Sequence, residues 1–149
     1  MNNNIKVVVS WLIALWASYV FLGSLPYKFN GAAEPLHIFS TLGAWMSGFL
    51  GNTMGGLFTQ YGAYIVGGFE LITSLVLLSP LVLWHRREKL HCIGGLMASV
   101  VMAGAVFFHL FWVVKWSENG QIQADSGLAN AALSILVLGI VMVILNRRV

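Results

Sequence analysis

The chain has 149 residues, 58% of them hydrophobic and only 9% charged, with a mean hydropathy of +0.82. Soluble domains carry about 25% charged residues, so this composition excludes an ordinary soluble fold and leaves an integral membrane protein. The net charge of +3 is no nucleic-acid signal, because the basic residues sit in short clusters beside apolar runs, as membrane anchors do.

Four apolar runs, at about 6–25, 61–84, 91–114 and 127–146, predict transmembrane helices of roughly 20 residues each. The first follows "MNNNIK". It is longer than the 7–15 residues of a signal-peptide core and no A-x-A site follows it, so it reads as a retained span. "GSLPYKFNG" closes it, with Leu25-Pro26 and Asn30-Gly31 as breaker signals. The fold class expected is therefore all-α, an integral membrane four-helix bundle forming a single domain over residues 1–149.

Residues 26–60 form an extra segment on the outer side, either amphipathic on the bundle or partly re-entrant. Pro35 suits the first turn of a helix, and Leu36, Phe39 and Leu42 form an apolar stripe. Asn52 and the glycines at 51, 55 and 56 are expected to break it.

The second span carries one charge, Glu70, in "GGFELITS". Its neighbours at i−7, i−3, i+3 and i+4 are Ala63, Gly67, Thr73 and Ser74, all small or hydroxylated. Small residues mark helix–helix contact in membranes, so Glu70 is expected to face the bundle. "HRREK" ends this span as a topogenic charge cluster, with Trp84 at the interface. In the third span His109 shares a face with Ala105, Ala98 and Gly95; Trp112 and Trp116 mark its outer end. In the fourth, Asn130 and Ser134 stack at i and i+4, and the first span repeats that spacing with Ser10, Ala14 and Ser18.

Helical rise puts Glu70 roughly 13 Å and His109 roughly 8 Å from the outer ends of their spans. An outward-opening polar pocket follows, with Glu70, His109 and Lys28 as its proton-handling candidates. Asn130, Ser134, Thr73, Ser74 and His37 are its secondary lining. An ionisable residue at this depth is a functional hypothesis by default; a structural link between helices is the competing reading.

Other chemistry is poorly supported. His91 and His109 lie about 27 Å apart on one helix face and cannot share an iron, so the spacing argues against haem. No tight His/Asp/Glu spacing points to a metal. The single cysteine, Cys92, excludes an internal disulfide and a dithiol relay.

The basic residues set the orientation. The N-terminus, the 85–90 loop and the C-terminus share one side, which holds Lys6, Arg86, Arg87, Lys89, Arg147 and Arg148. The other side holds Lys28 and Lys115 with Glu34, Glu118 and Asp125. The positive-inside rule makes both termini of this multi-pass protein cytoplasmic.

"FLGSLPYKFNG", then Pro35, "IFSTLG" and "YIVGGFELITSLVLLSP" together resemble the DoxX-like family of small four-helix bacterial membrane proteins. That family places a lysine just after span one and a glutamate among glycines and leucines in span two. Lys28-Phe29 and Glu70 match it. The resemblance covers about residues 15–85, and the arginine of many members early in span one is absent, where Trp11 and Trp16 stand. It implies a role as accessory subunit of a quinone-linked membrane redox system, taking a small hydrophobic or anionic ligand. A non-enzymatic helper that stabilises a membrane-protein partner is the alternative, and a small transporter, as a homo-oligomer, the second.

Overall fold

The computed structural model describes residues 3–111, 115–118, 121–124 and 126–147. Its helices are α1 (Asn3–Phe29), α2 (Ala33–Leu50), α3 (Asn52–Leu78), α4 (Arg87–Phe111) and α5 (Ser126–Asn146). Short 3-10 turns, Ser79–Leu81 and Trp84–Arg86, link α3 to α4. Four helices are long and apolar enough to cross a membrane: α1, α3 with its 3-10 extension, α4 and α5. The chain is thus a multi-pass helical membrane protein. Large apolar side chains such as Leu12, Tyr19, Leu75 and Val100 are exposed on the outside of the bundle, where lipid is their solvent.

Two helical hairpins make up most of the bundle. α2 turns back along the first half of α3 through Gly51, whose φ of 86° is a conformation that a side chain would strain. The backbones then come very close. A Cβ placed on Gly43 would lie 2.6 Å from the Gly55 carbonyl oxygen. Ser47 and Thr59, one turn further along each helix, complete the small-residue seam. α4 and α5 repeat the device: a Cβ on Gly95 would lie 2.9 Å from the Gly139 oxygen, with Ser99 alongside. α1 runs between the hairpins. Its Ile13, Ala14, Ala17 and Phe21 enter the main core with Leu77, Ala98, Met102, Ile135 and Met142. A smaller core of Phe39, Leu42 and Ala63, backed by Phe108, joins α2 and α3 to α4.

Several boundaries differ from those the sequence suggests. α1 continues through Pro26 to Phe29. Pro26 removes only one backbone donor, and its own carbonyl still accepts from Asn30 N–H at 3.0 Å. The stop comes at Gly31, with φ of 66°, beside a 3.1 Å bond from Ala32 N–H to the Tyr27 carbonyl. Gly55 and Gly56 do not break a segment; they lie within α3, which begins at Asn52 rather than near 61. Gly55 is there because a backbone must approach it. The second span also stops earlier, where Ser79-Pro80 tightens into 3-10 geometry. The apolar stripe of α2 runs through Pro35, Phe39 and Leu42, while Leu36 faces outward.

Beyond α4, the strands β1 (Lys115–Glu118) and β2 (Gln121–Ala124) pair antiparallel, with Lys115 opposite Ala124 and Glu118 opposite Gln121. The Asn119-Gly120 dipeptide in the sequence between them is a hairpin signal that the span count does not use. Trp116 falls on β1; Trp112, Asp125 and Arg148 lie outside the described residues.

Candidate functional site

The site is built by α1 and α3. Because α1 stays helical past Pro26, Ser24 and Lys28 sit one turn apart on one face. Opposite them, Glu70 lies on the buried face of α3 with Ala63, Gly67, Thr73 and Ser74, and is only 3% exposed. Gly67 makes the approach feasible. A Cβ there would lie 3.2 Å from the Phe29 ring and 3.5 Å from Lys28 Cδ, so the lysine stem passes over the glycine. The Phe29 ring then stacks on Tyr64, centroids 6.0 Å apart.

Two polar groups converge on one carboxylate oxygen. Lys28 Nζ forms an ion pair and hydrogen bond with Glu70 Oε2. It also donates to Ser24 Oγ at 2.9 Å. Ser24 Oγ lies 2.8 Å from Glu70 Oε2 and 2.8 Å from the Phe21 carbonyl. One hydroxyl carries one proton, so Ser24 serves these two acceptors alternately. Among the described residues nothing donates to Glu70 Oε1. The carboxylate thus has a saturated oxygen toward α1 and an acceptor oxygen left over.

An ion pair taken out of water stands only when its remaining lone pairs and protons find partners. Ser24 supplies one of them. It was not among the residues singled out by sequence, although its position four residues before Lys28 was the available signal.

The other sequence candidates are placed differently. The Thr73 and Ser74 hydroxyls donate to their own helix, to the Phe69 and Glu70 carbonyls at 2.7 and 2.9 Å. His37 is half-buried on α2, and its carbonyl accepts from Ser40 and Thr41. Asn130 is exposed on α5. Ser134 accepts from Trp16 Nε1 at 3.1 Å, which ties α5 to α1. His109 is half-buried on α4 beside Phe108, and it is not among the hydrogen-bond partners of Glu70. The structure brings together Lys28 and Glu70.

A second polar group lies toward the other end of α1. His91, expected at the very start of the third span, is fully buried in the second turn of α4. Its ring meets Trp11 edge-on, centroids 5.0 Å apart; among the described residues neither ring nitrogen makes a well-formed hydrogen bond, and the Leu77 backbone is the nearby polar group that acts on it. Trp11 in turn stacks on Trp84 at 6.3 Å. Nearby, Asn146 donates to Ser10 Oγ at 2.9 Å and fastens the end of α5 to α1.

No protein-family model matches the chain, and neither does a curated protein or a solved structure. Fold and site define the class on their own terms: a membrane-spanning helical bundle with a charge pair buried between its first and third helices.

Proposed function

We propose that the chain is a DoxX-like protein of a bacterial inner membrane, acting as accessory subunit of a quinone-linked redox system. The observation that carries this reading is the buried carboxylate with one oxygen bound by Lys28 and Ser24 and the other without a donor among the described residues. A small hydrophobic molecule bearing a hydroxyl, such as a quinol, has the proton that Glu70 Oε1 lacks. Glu70 then accepts or returns that proton, while Lys28 holds the carboxylate in place and offers positive charge to an anion. Both termini are assigned to the cytoplasm, since Lys6, Arg86, Arg87, Lys89 and Arg147 gather at that end.

The test is purification in mild detergent followed by mass spectrometry of extracted small molecules. The wild-type protein should carry a quinone. Glu70→Gln should lower its occupancy about tenfold, the scale of one lost hydrogen bond to a charged group, with expression retained. A wild-type protein free of quinone would overturn the redox reading. It would favour the second one, a helper that steadies a partner membrane protein through the outward apolar residues Leu36, Phe49 and Leu50 of α2.

A further inference from the structure

A separate basic cleft lies where the start of α1, the start of α4 and the end of α5 meet. It measures about 340 Å³ and is lined by Asn3, Lys6, Arg87, Glu88, Asn146 and Arg147, with Leu145 at its wall. Lys6, Arg87 and Arg147 place three positive charges around it, against the single carboxylate of Glu88.

Arg87 is the unusual member. It is only 8% exposed, yet among the described residues its Nε–H has no hydrogen-bond partner. Its ion pair to Glu88, at 3.4 Å, uses a terminal nitrogen and a carboxylate whose side chain is 41% exposed. A guanidinium this deeply buried with a donor unmet is costly unless an acceptor meets it. Its plane is steadied from one side by Trp84, whose ring centre lies 5.4 Å from Cζ.

Depth says what kind of anion belongs there. Trp84 is 58% exposed and stacks on Trp11, the placement of an aromatic anchor at a membrane–water boundary. At that level the abundant anion is the phosphate of a lipid headgroup. Basic pockets between transmembrane helices suit such headgroups, and the arginine fork suits phosphate oxygens.

We infer that this cleft is a phosphate-binding site, occupied by the headgroup of an anionic phospholipid that bridges α1, α4 and α5. The acyl chains leave along the exposed apolar surface of the bundle. The phosphate oxygens accept from Arg87, with Lys6 and Arg147 closing over them. This site is distinct from the Glu70 centre, and its occupant fastens α4 to α1 and α5, which the Asn146–Ser10 bond ties to each other there.

The experiment is native mass spectrometry of the intact protein with phosphatidylglycerol or phosphatidylcholine of matched acyl chains. Arg87 is buried and its replacement risks misfolding, so the variant is Lys6→Gln/Arg147→Gln, at more accessible positions. Phosphatidylglycerol should bind the wild type in preference to phosphatidylcholine, and the double variant should lose at least about tenfold of that affinity. A further arm adds inorganic phosphate against chloride at equal ionic strength. Displacement of the lipid by phosphate would show that the site reads the phosphate group and also takes the free ion. Retention of the lipid would show that it reads the headgroup in its membrane setting. Equal binding of the two lipids, or an unchanged double variant, would overturn the inference.

Discussion

Glu70 and His91 are both buried polar side chains on spans that pack against α1, and their surroundings are opposite. Glu70 carries a full charge and meets a lysine and a hydroxyl. His91 makes no well-formed hydrogen bond among the described residues and meets aromatic carbon. A charge cannot be left unpaired at membrane depth, whereas an uncharged imidazole against a tryptophan edge is tolerable. The difference teaches where interaction energy is concentrated. Toward one end α1 is held by electrostatics with small-residue clearance, and toward the other by ring packing.

That contrast can be broken most forcefully at Lys28. Lys28→Met leaves the Glu70 carboxylate buried without its cation, and should destabilise the protein by about 3–5 kcal/mol. Thermal or denaturant unfolding in detergent measures the loss; a change below about 1 kcal/mol would show that water or lipid headgroups reach Glu70. His91→Phe sharpens the other half of the contrast. It removes two polar atoms that lack a well-formed hydrogen bond among the described residues while keeping a ring against Trp11, so stability should stay within about 1 kcal/mol or rise. A large loss would mean that a nitrogen of His91 has a partner of real weight.

Much of the α1–α3 site is legible in the sequence, because its signals are local. The lone charge in "GGFELITS" names Glu70, and helical spacing around it names the buried face. Lys28 follows from being the nearest cation. What the sequence conceals is how Lys28 arrives. Pro26 and Asn30-Gly31 read as a stop before or around the lysine, yet the helix passes Pro26 and ends only at Gly31. In a packed membrane bundle no water competes for the backbone, so a proline near a helix end loses one bond and little else.

The same reasoning explains the glycines. Gly55 reads as a breaker because glycine is a poor helix former in isolation. In place it is the residue that lets α3 meet the Gly43 backbone, a contact between positions that no local pattern links. His91 was hidden for a related reason. The apolar run starts the third span only at His91, but α4 begins at Arg87 and its second turn is already inside the bundle. The pairing of Asn146 with Ser10 likewise joins the two ends of the chain, 136 positions apart, and only the assembled bundle displays it.

The central claim is that Lys28 and Glu70 act as one coupled unit between α1 and α3. A double-mutant cycle over Lys28→Met, Glu70→Met and the combined variant, read by unfolding in one detergent, tests it most directly. The double variant should lose clearly less stability than the two single losses added together. That outcome corresponds to a coupling of about 2 kcal/mol or more, within the range for residues in direct contact. Additive losses, agreeing to about 0.5 kcal/mol, would mean that the two side chains do not interact and would contradict the account.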